Sequence, residues 1–171
     1  DKAFTEIAED ELREHGVTIA TGQRVLRFEG DQKGGKAGQV AAVVTDKERI
    51  EADMVVLCVG FRPQTDLVKG QVAMTRAGAI IVDDFMRTTA PDVFAAGDSC
   101  AVKFNPTGTP EYIPLATNAV RMGMLVARNL VQPMVQYRGT QGTSGIKIYS
   151  QNIASTGLTL EMANHYGIEV E

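Results

Sequence analysis

No run of apolar residues in this 171-residue chain approaches the roughly 20 needed for a helix to cross a bilayer, so the sequence pattern excludes a helical membrane span. Basic residues are not in surplus. Seventeen Lys and Arg stand against 21 Asp and Glu, the net charge is -4, and no basic patch stands out, so nucleic acid is not an expected partner. Cysteine is scarce: Cys58 and Cys100 lie far apart and form neither a CxxC nor a metal-type spacing. That excludes a disulfide framework, points away from a metal site, and makes a reducing, cytoplasmic setting the expectation. Repeats and low-complexity tracts are absent. So is an initiating Met. The chain opens at Asp1 directly on an amphipathic pattern, which reads as an internal cut. What is present is ordinary globular composition, 44% hydrophobic and 22% charged, enough for a sizeable core in one compact domain or parts of two.

Phe4, Ile7, Ala8 and Leu12 recur at helical spacing and predict a helix over residues 2–15, with Gly16 as its stop. Its acids Glu9, Asp10, Glu11 and Glu14 read as a solvated face, and His15 as a residue complementing the helix C-terminus. Short strands are expected at 17–20, 25–29 and 40–45, with a Gly- and Lys-rich loop over 30–38 and a hairpin turn at 46–48 leading into 49–51. Residues 54–59 are uniformly apolar, as in a strand covered on both faces of a parallel α/β sheet, and end at Gly60. Ligands of such sheets bind beyond the C-terminal strand ends. Further strands are expected at 78–83 and 92–96. A strong helix follows over 115–130, on which Ala119, Met122, Val126 and Leu130 mark one face; Met122 and Met124 read as packing residues. Strands at 146–149 and 153–155 and a helix at 160–166, with His165 on its surface, complete the pattern.

Three constellations suggest chemistry. The run 88–98 would deliver Asp98 to the tip of a buried strand, with Gly97 letting backbone approach a ligand closely. A carboxylate there suits sugar-like hydroxyls; the dipeptide alone would read as a turn. The segment Pro114, Leu115, Ala116, Thr117, Asn118 opens a helix whose free N–H groups suit an anionic edge, although it also reads as an ordinary helix start capped by Thr117 or Asn118. Gly60, before Phe61-Arg62-Pro63, would let a cofactor pass the backbone or would simply end a strand. Cys58 reads as a small core residue. Cys100, with no partner thiol or histidine beside it, is not expected to be catalytic.

At these residues the chain resembles the NADH oxidase, NADH peroxidase and CoA-disulfide reductase group of the pyridine nucleotide–disulfide oxidoreductases, water-forming NADH oxidases first. The matching segments are 58–63, 86–98, Asn105-Pro106, 114–119, 142–145 and 154–157. The resemblance implies an α/β chain in three parts. Residues 1–60 would be the C-terminal part of a Rossmann-like NADH-binding domain, 61–138 that of a Rossmann-like FAD-binding domain, and 139–171 the start of an α+β dimerisation domain. FAD and NADH are the implied cofactors. Gly97 and Asp98 would hold the ribityl chain, and Leu115, Ala116 and Thr117 the flavin ring. Gly60, Pro114 and Gly145 would line the NADH site. The implied partners are a small redox substrate (oxygen, peroxide or a disulfide) and a second copy of the protein. The family's GxGxxG fingerprints and redox cysteine have no counterpart here, so no residue is assigned as catalytic and turnover by the chain alone is not expected. A non-catalytic interaction domain is the reading from a different class.

Overall fold

The computed structural model describes residues 2–30 and 38–169, with side chains from residue 4 onward. Most of the expected Gly- and Lys-rich loop therefore lies outside the described residues. The chain divides into two compact units, Leu12–Gly60 and Asp1–Glu11 together with Phe61–Glu171. No helix among the described residues is long and apolar enough to cross a membrane.

Helix α1 spans Lys2–Glu14 and stops where Gly16 turns to φ +78°, a conformation open to glycine at little steric cost. Its faces differ from the expectation. Phe4 and Ile7 are 40% and 48% exposed, whereas Glu11, read as solvated, is 5% exposed. The Glu11 carboxylate accepts the Ser150 N–H at 2.7 Å, and such a bond offsets the cost of burying a charge. Amphipathic spacing identifies a stripe but not the surface it meets.

The Leu12–Gly60 unit is an antiparallel meander of β1 (Val25–Gly30), β2 (Val40–Thr45) and β3 (Arg49–Glu51). Its second turn is tied by side chains. The Thr45 hydroxyl oxygen accepts the N–H groups of Lys47 and Glu48 at 3.1 and 2.9 Å, and Asp46 accepts the Arg24 N–H at 2.9 Å. Glu29 links β1 to β3 through Arg49 at 2.9 Å and pairs along its own strand with Arg27 at 2.6 Å; those bonds, Arg49 first, lower its carboxyl pKa. Two expected strands are not there: residues 17–20 and 54–59 form no ladder. The 54–59 run is also not buried, for Met54 is 78% and Val59 89% exposed, and Cys58 is exposed rather than a core residue. A strand exists only with a neighbour to share its N–H and C=O groups, and no described strand pairs with this run.

In the other unit β4 (Ile80–Ile81) pairs parallel with β5 (Cys100–Lys103), and β5 antiparallel with β6 (Pro110–Glu111). Helix α2 (Ala116–Asn129) contributes Met122 to a core with Ile80, Met86, Cys100, Val102 and Tyr137, against which Leu125 and Val126 pack. Burying each large apolar side chain there contributes roughly 1.5–3 kcal/mol. Met122 thus packs as expected, but Met124 and Leu130 are 53% and 60% exposed. Residues 92–96 are not a strand. They carry a single antiparallel bridge, Arg87 to Phe94, and the strand of this region, β5, begins after Asp98. At the end of α2, buried Asn129 accepts the N–H groups of Met134 and Val135, each at 2.9 Å, and donates to the carbonyls of Val135 and Phe85 at 2.9 and 3.3 Å. The chain then returns, Thr140 N–H bonding the Lys103 carbonyl at 2.9 Å, into the hairpin of β7 (Ser144–Ile148) and β8 (Gln151–Ser155). Helix α3 (Leu160–Tyr166) closes the fold, with the Thr159 side chain capping Met162 N–H and Gly167 at φ +66° ending it. His165 is on its surface, stacked edge-on with Tyr166 at 5.4 Å.

Candidate functional site

Gly97, Asp98 and the start of α2 come together in the larger unit. Gly97 has φ +84°, a region that disfavours any side chain, and a Cβ on it would sit 3.8 Å from the Ala119 Cβ, in the first turns of α2. The backbone before β5 therefore lies against the helix start. Asp98 is exposed, with its carboxylate available to a ligand. Gly97 rather than a strand sets its position, so the expected strand-tip geometry is replaced by a glycine turn leading into β5.

Leu115 is the N-cap of α2, with extended backbone at φ -133° and ψ 132° and no side-chain capping bond. Neither Thr117 nor Asn118 is the cap. Ala119 N–H makes the first bond back to the Leu115 carbonyl at 3.0 Å, so the N–H groups of Ala116, Thr117 and Asn118 precede the helical ladder. The first turn has no acidic residue to offset its partial positive charge. Ala116 and Thr117 are exposed, and Pro114 and Leu115 half-buried. Proline has no N–H, so Pro114 offers a ligand only its ring and carbonyl.

Two residues beside this site take roles that the sequence did not assign to them. Asn118 is buried and donates to the Ile113 carbonyl at 3.3 Å, fastening the segment that leads into the helix. Its signal was its place in the first turn, where it had been weighed only as a cap. Tyr112 is half-buried, and its phenol pKa is raised first by burial and then by the charge of Asp98. Nothing in spacing pairs residues 98 and 112.

The other candidates lie elsewhere. Gly60, at φ +89° with open space where a Cβ would be, ends the smaller unit. Gly145 is on β7 opposite Ala154 and lines a cleft of about 390 Å³ with Phe4, Ile146, Ile153 and Met162. A further cleft of about 670 Å³ lies at the C-terminal end of α2, beside Arg87, Pro91, Phe94 and Pro133, and no candidate residue lines it. Burial raises the pKa of Cys100, more than a hydrogen bond from Ser99 lowers it. Its thiol is thereby kept protonated, the opposite of what activates a nucleophile. No group of three His, Cys, Asp or Glu among the described residues could hold a metal ion.

Comparison with known proteins identifies the family. Residues 1–123 match the family model for pyridine nucleotide-disulphide oxidoreductases. The chain is 52% identical over 171 residues to the NADH oxidase of Enterococcus faecalis, covering 100% of this chain and 37% of that protein. It is 33% identical over 171 residues to the NAD(P)H sulfur oxidoreductase (CoA-dependent) of Pyrococcus furiosus, covering 99% of this chain and 37% of that one. Among solved structures, the water-forming NADH oxidase from Lactobacillus brevis bound to NADH superposes with a TM-score of 0.87 at 51% identity, over 98% of this chain and 36% of that chain. The chain thus spans little more than a third of the length of these relatives. Matched in sequence over most of its length and in fold over nearly all of it, the chain belongs to the pyridine nucleotide-disulphide oxidoreductase family, with that family's α/β fold.

Proposed function

We propose that this chain is an internal segment of an FAD-dependent NADH oxidase and supplies the side of the site that holds the flavin. The observation that carries this reading is the meeting of Gly97 and Asp98 with the uncapped first turn of α2. These residues fit a flavin. The Asp98 carboxylate would accept hydrogen bonds from ribityl hydroxyls, the Gly97 backbone would let the chain pass close, and the N–H groups of Ala116 and Thr117 would face the electron-rich edge of the ring beside Leu115. When bound, FAD supplies a carrier that takes up and passes on electrons. The contribution of this chain is to hold and orient it. Pro114, Gly60 and Gly145 are assigned to the NADH side on the resemblance alone.

The remainder of the reading goes with this one. Residues 1–60, 61–138 and 139–171 belong to NADH-binding, FAD-binding and dimerisation domains, the whole protein forms homo-oligomers, and oxygen receives the electrons. The setting is cytoplasmic, in keeping with two unbonded cysteines. The Pyrococcus furiosus relative supports a second reading, CoA-dependent oxidoreduction of a sulfur substrate on the same scaffold. Either way the chain alone is expected to hold FAD weakly and to show no NADH turnover.

Asp98→Ala in the full-length protein tests the flavin assignment. A hydrogen bond to an ionised carboxylate contributes about 1.5–3 kcal/mol, so FAD retention through dialysis should weaken roughly 10- to 150-fold. Thr107→Ala, in the loop where its hydroxyl meets that of Thr109 at 2.8 Å, should change retention little. Equal retention by two folded variants would leave Asp98 a turn residue and remove the main support for a flavin here.

A further inference from the structure

Arg121, Met124, Leu125 and Arg128 recur on α2 at three- and four-residue steps and so share one helix face. The segment 136–139 lies along that face, and together they enclose a cavity of about 270 Å³, lined also by Tyr137 and Arg138. Arg121, Arg128 and Arg138 are all exposed. None of the three has a carboxylate partner among the described residues. Three arginines thus line one small cavity, with no carboxylate partner among the described residues to offset their charge.

The wall between them is apolar. Leu125 is half-buried, and Tyr137 is 6% exposed. The Tyr137 hydroxyl is buried without a hydrogen-bond partner; Thr140 acts on it from outside good bonding geometry. Burial raises its pKa, with Thr140 and then the Arg121 charge acting in the opposite direction, and Arg121 lines the same cavity. None of the residues assigned to flavin or NADH lines this cavity.

We propose that this cavity binds a diphosphate-type anion, held by Arg121, Arg128 and Arg138 against the apolar wall of Met124, Leu125 and Tyr137. A guanidinium presents a planar fork of donors that matches phosphate oxygens two at a time. Three such forks call for a ligand with several charges close together, which a phosphate anhydride carries and a single carboxylate does not. The cavity's size suits a small molecule rather than a protein surface. The proposal stands apart from the flavin assignment, since its test contains no FAD.

Inorganic diphosphate is titrated calorimetrically into the full 171-residue chain. Saturable one-to-one binding is expected, weakening as salt is raised. The R121Q/R128Q/R138Q variant should bind at least about tenfold more weakly, and R128Q alone, at an exposed position, about threefold or more. The control K47Q/K69Q removes two exposed charges outside the cavity and should bind as the parent does. Succinate, a dianion without phosphate geometry, should bind at least about tenfold more weakly than diphosphate. No saturable binding by the parent chain, an equal loss in the lysine control, or equal affinity for succinate would each overturn the proposal.

Discussion

Gly139 stands where the chain returns from α2 toward the β7–β8 hairpin, and replacing it with alanine tests how tightly that return is built. The residue has φ +83°, and an added Cβ would lie 2.1 Å from the Asn105 Oδ1, 2.8 Å from its Cγ and 3.0 Å from the Lys103 carbonyl oxygen. Two separate costs follow. A left-handed conformation costs a residue with a Cβ about 1–2 kcal/mol. Forcing atoms into a packed position adds about 1–3 kcal/mol. The Asn105 side chain can swing aside, but the Lys103 carbonyl cannot, since it accepts the Thr140 N–H at 2.9 Å while Asn105 N–H bonds the Thr140 carbonyl at 2.9 Å. The sum is roughly 2–5 kcal/mol, which for a chain of this length lowers the melting midpoint by roughly 4–20 °C. Gly108→Ala is the matched control: φ is +72° and nothing lies within 4 Å of its Cβ, so only the conformational cost applies. Removing the Asn105 side chain as well, in Gly139→Ala/Asn105→Ala, should recover part of the loss but not reach the Gly108→Ala midpoint. Thermal melts followed by circular dichroism separate these cases. If Gly139→Ala melts no lower than Gly108→Ala, the steric part of this argument is wrong.

Other outcomes follow from the same contacts. Cys58 is exposed and Cys100 buried with its thiol pKa raised, so under native conditions iodoacetamide should label Cys58 at least about tenfold faster, and the two should equalise in denaturant; mass spectrometry reads both. Asn129→Ala removes the acceptor of the Met134 and Val135 N–H groups at a part-buried site, and urea titration should show a loss of about 1–3 kcal/mol. For Asp83, burial raises the carboxyl pKa, but bonds from the Arg87 side chain and from the Arg87 and Phe85 N–H groups outweigh it and hold it below the ordinary value. Its contribution to stability is therefore present above the unfolded-state value near pH 4 and lost as pH falls below it. Asp83→Asn should destabilise at pH 7 and progressively less toward pH 3, and a constant difference across that range would contradict the assignment.

Much of the local architecture was legible before any coordinate. Helix α3 falls on residues 160–166 as read, α2 within a residue of its expected ends, and β2 on residues 40–45. These elements answer to neighbours three, four or a few residues away, through helical periodicity and the Asp46-Lys47-Glu48 turn. The strands expected at 146–149 and 153–155 overlap β7 and β8, though their pairing as a hairpin was not read from the sequence. Gly97, Asp98 and the segment from Pro114 were singled out by their identities, and the structure brings Gly97 beside the start of α2.

Tertiary structure alone decided the matters that need a distant partner. Residues 54–59 have the composition of a buried strand but no described strand to pair with, and so remain exposed. Residues 92–96 likewise make one bridge instead of a ladder, because backbone hydrogen bonding in a sheet is a property of two chains side by side and not of one. Glu11 is buried where Ser150, 139 positions away, offers it an N–H, and Cys58 is exposed because the run 54–59 that holds it forms no buried strand. The gathering of Arg121, Arg128 and Arg138 depends on where segment 136–139 turns back along α2, which no periodicity encodes. What the sequence by itself determined was the set of elements set by short-range sterics and hydrogen bonding; which faces meet, and which charges are left without partners, waited on contacts between residues far apart in the chain.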